Sequence, residues 1–142
     1  MMLDFPEYNC DVSKIDFTVK SIVDLDENDY PVIDICGAKR WFNSEGDFHR
    51  ENGPAIIYAD GSQYYYKNGS QHRTDGPAVI LINGEQHYFQ NNKLHNENGP
   101  AVIRSDRTVC YYQNGERHRV GGPAVIYFNG VEEYWENGVR IK

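Results

Sequence analysis

Histidine returns on a fixed step of 23 residues in this chain. His49, His72, His95 and His118 each open a run that ends in Gly-Pro-Ala and a β-branched pair. The runs are His49-Arg50-Glu51-Asn52-Gly53-Pro54-Ala55-Ile56-Ile57, His72-Arg73-Thr74-Asp75-Gly76-Pro77-Ala78-Val79-Ile80, His95-Asn96-Glu97-Asn98-Gly99-Pro100-Ala101-Val102-Ile103 and His118-Arg119-Val120-Gly121-Gly122-Pro123-Ala124-Val125-Ile126. A constant period of this length marks stacked copies of one supersecondary unit, none of which can bury its apolar face alone. Any fold for the chain must place four equivalent histidines in four equivalent environments.

The local pattern within a copy is β throughout. Gly-Pro starts a strand, because proline's missing N–H does no harm there. Ala-Val/Ile-Ile then runs extended. Asp60-Gly61, Asn83-Gly84 and Asn129-Gly130 supply tight turns, and their glycines accept positive φ. A second strand follows through Gln63–Tyr66, Gln86–Phe89, Val109–Tyr112 and Glu132–Trp135, closed by Asn68-Gly69, Asn91-Asn92, Asn114-Gly115 or Asn137-Gly138. Short β-rich runs between turns predict one hairpin per copy and an all-β fold of repeated β-hairpins forming an elongated, twisted antiparallel sheet. Arg107 stands where a turn glycine is expected, so that turn must bend differently or carry strain. The copies fall at 49–71, 72–94, 95–117 and 118–140. A degenerate copy at 26–48 sets Trp41-Phe42 against Tyr64-Tyr65. Residues 1–25 read as an acidic N-terminal cap with a strand, the alternative being an acidic docking arm.

Charge narrows the partners. With 14 Lys and Arg against 21 Asp and Glu, the formal charge is −7, which disfavours nucleic-acid backbones and anionic membranes. Cys10, Cys36 and Cys110 are an odd set without repeat spacing, and they read as reduced thiols in a cytoplasmic protein. There is no apolar run long enough to span a bilayer and no basic, apolar leader.

The stretch Tyr111-Tyr112-Gln113-Asn114-Gly115-Glu116-Arg117-His118 resembles the repeat of MORN proteins. The His-Arg-x-Asp-Gly-Pro-Ala form is similar to MORN-variant repeats common in tailed phages, giant viruses and bacteria, over about 41–140. The usual His-Gly-x-Gly is replaced by His-Arg-x-x-Gly. The resemblance implies hairpins added side by side and a binding or scaffold role without catalysis. A viral member of this kind would act in the host cytoplasm.

Candidate sites follow from what repeats and what varies. Copies of a two-stranded unit lie about 9–10 Å apart, and zinc needs ligands at about 2.1 Å. The histidine column therefore cannot converge on one metal; a structural hydrogen bond across a loop is expected, with no metal and no cofactor. Arg50, Arg73, Asn96 and Arg119 form a second column, read as a solvated ion-pair row. Two aromatic columns, Phe42, Tyr65, Tyr88, Tyr111, Tyr134 and Tyr66, Phe89, Tyr112, Trp135, are expected on opposite faces. Specificity should lie where the copies disagree, which nominates the exposed members of a patch drawn from Tyr58, Tyr64, Leu81, His87, Arg104, Tyr127 and Phe128, with His87 expected on the surface. No phosphate-binding loop or nucleophile–base pattern appears. The expectation is a non-enzymatic protein-interaction module, of the kind a phage uses against a host protein, a defence factor included. The alternatives are a structural repeat that self-assembles through the C-terminal edge strand (Tyr134, Trp135, Val139, Ile141) and an acidic mimic that blocks a nucleic-acid-binding protein.

Overall fold

A computed structural model of the chain describes residues 30–142. The cap expected over 1–25 and its strand lie outside the described residues. The described residues begin with β1 (Val32–Ile33) and β2 (Lys39–Arg40). The first full copy holds β3 (Ile56–Ile57), β4 (Gln63–Tyr64), β5 (Tyr66–Lys67) and β6 (Ser70–Gln71). The second holds β7 (Val79–Ile80), β8 (Gln86–His87), β9 (Phe89–Gln90) and β10 (Lys93–Leu94). The third holds β11 (Val102–Ile103), β12 (Val109–Cys110), β13 (Tyr112–Gln113) and β14 (Glu116–Arg117). The last holds β15 (Val125–Ile126), β16 (Glu132–Glu133), β17 (Trp135–Glu136) and β18 (Val139–Arg140).

Each full copy therefore makes two hairpins, not the one expected. The long hairpins join in chain order into a 10-stranded antiparallel sheet, β1-β2-β3-β4-β7-β8-β11-β12-β15-β16. Its nine inter-strand steps of about 4.8 Å give a width of roughly 43 Å. The short hairpins, β5/β6, β9/β10, β13/β14 and β17/β18, pair only within themselves. The second strand of the first copy breaks at Tyr65: it donates its N–H to Ala78 O (2.7 Å), and its own carbonyl accepts from His72 N (3.2 Å), after which the chain leaves the large sheet. Both turn residues of each short hairpin have positive φ, for example Asn68 (47°) with Gly69 (77°) and Asn91 (50°) with Asn92 (62°). That is the type I′ geometry Asn-Gly favours.

Register explains burial. Ile56, Tyr64, Val79, His87, Val102, Cys110, Val125 and Glu133 face one another in sequence across the sheet. Directly paired antiparallel residues project from the same face. The short hairpins cover this face. Phe89 packs with Ile56, Tyr64, Ala78 and Val79, joined by Phe48, Tyr66, Leu81 and Leu94. Leu94, Tyr112, Tyr127 and Trp135 pack on Val102, Cys110 and Val125. The opposite row, with Ile57, Ile80, Ile103 and Ile126, is half-buried.

Two expectations about the early part of the chain need correction. Trp41 occupies the place of Tyr65, not Tyr64: it donates to Ala55 O and accepts from His49 N, as Tyr65 does with Ala78 and His72. The degenerate copy is thus offset by one residue, taken up in the wider turn at 43–47, where Asn43 Oδ1 caps the amides of Glu45 and Asp47. Cys36 is disulfide-bonded, not a reduced thiol; sequence spacing says nothing of which cysteines a fold brings within bonding distance. Cys110 is a buried free thiol. No helix among the described residues is long and apolar enough to cross a membrane.

Candidate functional site

The histidines are couplers. A backbone N–H can only donate, so Nδ1 of His49, His72, His95 and His118 accepts from Asn68, Asn91, Asn114 and Asn137 at 3.0, 3.2, 3.1 and 3.1 Å. Each bond spans 19 residues and ties the end of one short hairpin to the turn of the next. In the neutral ring Nε2 then carries the hydrogen, which His49 gives to Glu51 Oε1 at 3.0 Å. A glycine or asparagine amide in the same turn adds a parallel strut, as in Gly115 N to Leu94 O at 2.8 Å.

The arginine column is the solvated ion-pair row expected only at Arg73, whose Nε donates to exposed Asp75 at 2.7 Å; what its arginines share is an aromatic ring. The guanidinium carbons of Arg50, Arg73 and Arg119 stand 3.8, 4.0 and 3.9 Å from the ring centroids of Trp41, Tyr65 and Tyr111. Nη1 of each donates to the carbonyl of the repeat proline, at 3.3 Å for Pro54, 3.2 Å for Pro77 and 3.1 Å for Pro123. On the other side lies the repeat glycine; a Cβ at Gly76 would meet the Arg73 guanidinium at 3.0 Å, and one at Gly122 that of Arg119 at 3.2 Å. The glycine before proline is there to let a cation lie flat between backbone and aromatic ring. In the third copy Asn96 keeps only the carbonyl bond, to Pro100 at 2.9 Å. An open groove of about 580 Å³ runs past Arg50, Lys67 and Arg73, but both of its arginines are already engaged.

The nominated patch residues separate into two groups. Tyr64 and His87 are buried in the core row, which corrects the surface position expected for His87. His87 was expected outside because it shares a column with Tyr64, Cys110 and Glu133, where the copies differ; the short hairpins cover that column. Tyr58 packs edge-on against Tyr64, with centroids 5.3 Å apart. Leu81 packs on the same cluster. Tyr127 donates its hydroxyl to Glu133 Oε1 at 3.3 Å. Arg104 and Phe128 are exposed, Phe128 to 70%. They share the turn border of the large sheet with Ile82, exposed to 69%, and Val131.

Between the second and third copies the covered face opens into a cavity of about 370 Å³ lined by Glu85, His87, Leu94, Val102, Arg104, Cys110, Tyr112 and Gly115. Of these, the sequence reading nominated only His87 and Arg104. Glu85 Oε1 lies 2.8 Å from His87 Nε2. His87 Nδ1 is buried without a partner among the described residues. His87 and Cys110 both pair with Val102, from opposite sides, so their backbones lie about 9.6 Å apart. That is too far for a cysteine–histidine dyad. Burial pushes the Cys110 thiol up, against the pull of Arg104 and Arg117, so it is held as a thiol and not a nucleophile. One copy further on, Glu133 fills the equivalent place. A hydrogen bond from Trp135 Nε1 (2.9 Å) is the main reason its carboxyl sits below the usual range; Arg140, Tyr127 and Arg117 add to this, against burial.

No protein-family model matches the chain, and no curated protein matches it. Among the described residues no group of three or more histidine, cysteine, aspartate and glutamate side chains is placed to hold a metal ion.

Proposed function

We propose that the chain is a non-enzymatic protein-interaction module of the MORN-variant kind, whose repeats are scaffold and whose turn border makes the contact. The observation that carries this reading is the border formed by Ile82, Phe128 and Val131, whose large apolar side chains stand 69%, 70% and 53% exposed beside Arg104. Apolar side chains held out on rigid turns, with a cation among them, suit a protein partner. The histidine and arginine columns, in contrast, are consumed by the fold. A phage-type accessory protein acting on a host protein in the cytoplasm is the most concrete form of the proposal.

The test is affinity capture from cell extract, repeated with Ile82→Ser combined with Phe128→Ser. Loss of specific captured proteins by a variant that keeps its melting temperature supports the border; an unchanged set overturns it. Exposed Val139 (64%) and Ile141 (58%) near the outermost strand favour self-assembly as a second reading. Light scattering at rising concentration decides it, a constant monomer mass removing the idea.

A further inference from the structure

The cavity between the second and third copies exists because one diagonal contact across the hairpin, between positions two residues out of direct register, is different. The equivalent pairs close their space. Tyr58 packs edge-on against Tyr64, and Tyr127 hydrogen-bonds Glu133. Leu81 packs on the core cluster. In the third copy the pair is Arg104 and Cys110. Cysteine is the smallest side chain in its column, and Arg104 turns out to solvent and makes no ion pair among the described residues. Exposed Asp106 lies near enough to feel the Arg104 charge without pairing with it. Space is thus left under the short hairpins, walled by Leu94, Val102 and Tyr112. The fold supplies it with one cation, the Arg104 guanidinium at its mouth, while His87 Nδ1 is closed off from solvent and so from the cavity.

We propose that this cavity binds a carboxylate with an apolar body, its carboxylate on Arg104 and its body against Leu94, Val102, Cys110 and Tyr112. The volume of about 370 Å³ lies at the small end of ligand pockets, enough for a single aryl or branched alkyl acid. The same chemistry is offered by a free small acid and by the last residue of a peptide.

Amide NMR titration of the full chain with 3-(4-hydroxyphenyl)propionate, 3-phenylpropionate and a peptide ending in free or amidated tyrosine tests both sources. The expected result is saturable shifts at Val102, Arg104, Cys110 and Tyr112. Arg104→Leu, which copies Leu81 at the equivalent exposed turn, should weaken binding about tenfold by removing a charge-assisted hydrogen bond. Cys110→Tyr, which copies Tyr64, should abolish it. Binding by the peptide acid alone assigns the site to a chain terminus, and binding by the free acids alone assigns it to a small molecule. No saturable shift with any probe at millimolar concentration overturns the proposal, as does equal binding by Arg104→Leu or by the amide. Neither result depends on whether the turn border captures a protein.

Discussion

Replacing Arg119 by asparagine tests the role given to the arginine column, because the third copy already shows what asparagine does there. Arg119 lies 3.9 Å from the Tyr111 centroid and donates to Pro123 O at 3.1 Å. It makes no ion pair among the described residues. Asn96, its counterpart, retains the proline bond at 2.9 Å and has no ring contact among the cation–π pairs seen. Arg119→Asn should therefore remove the stack and keep the strut. A cation–π contact of this kind contributes about 0.5–2 kcal/mol. Unfolding entropy near 2.1 cal/mol/K per residue gives about 0.3 kcal/mol/K for a chain of this size, so the melting temperature should fall by about 2–6 °C. Arg119→Leu also strands the Pro123 carbonyl and should cost a further 1–3 kcal/mol or so. The reciprocal change, Asn96→Arg, should raise stability by a similar fraction of a kcal/mol to 2 kcal/mol, by stacking on Tyr88. Thermal and urea unfolding of the three variants are the assay. A silent Arg119→Asn together with a neutral or destabilising Asn96→Arg would refute the assignment.

Other outcomes follow from single residues. His95→Ala removes the acceptor for the Asn114 amide (3.1 Å) and should cost about 1–2 kcal/mol in urea unfolding; no loss would mean that water replaces the imidazole. Arg107 has φ 73°, the left-handed conformation its counterparts Gly61 and Gly84 adopt at 93° and 87°. Arg107→Gly should thus raise stability by about 1 kcal/mol, measured by melting, and a lower melting temperature would show the turn is not strained. Glu133 is held below its ordinary range in the folded chain, so it adds stability above its unfolded value and loses it as pH falls through the folded one. Glu133→Gln should be less stable at neutral pH and show a flatter acid limb; parallel pH profiles would exclude this carboxylate from acid unfolding.

Much of the architecture was legible in the residues. The 23-residue step, the β-rich runs and the turn pairs led directly to consecutive antiparallel hairpins, and Arg107 was marked as a turn that bends differently or carries strain. The break at Tyr65 was not legible. Gln63–Tyr66 has no residue that forbids a continuous strand; the break comes from bonds to Ala78 and His72 in the next copy. Missing it hid the short hairpins, and with them the reason Tyr64, His87 and Cys110 are buried. The histidine bond was foreseen in kind but not in reach, since a span of 19 residues appears only once copies are stacked. The arginine stack was missed although its signal was present: arginine, glycine and an aromatic hold constant relative positions in three of four copies.

The turn border has a rhythm of two copies, not one. Ser62 Oγ accepts from Ile82 N at 3.1 Å, and Thr108 Oγ1 accepts from Phe128 N at 3.2 Å. The intermediate link, where Glu85 faces Ser105, has no hydroxyl at that position to make the bond. In a stacked-repeat protein, stability is a chain of nearest-neighbour couplings, and the weakest coupling decides where the stack parts. The array should behave as two double units sharing a softer seam, with the amides of the Glu85–Ser105 border exchanging before those at Ile82 and Phe128. The same seam borders the cavity, so occupancy there would act as a clasp between two cooperative halves.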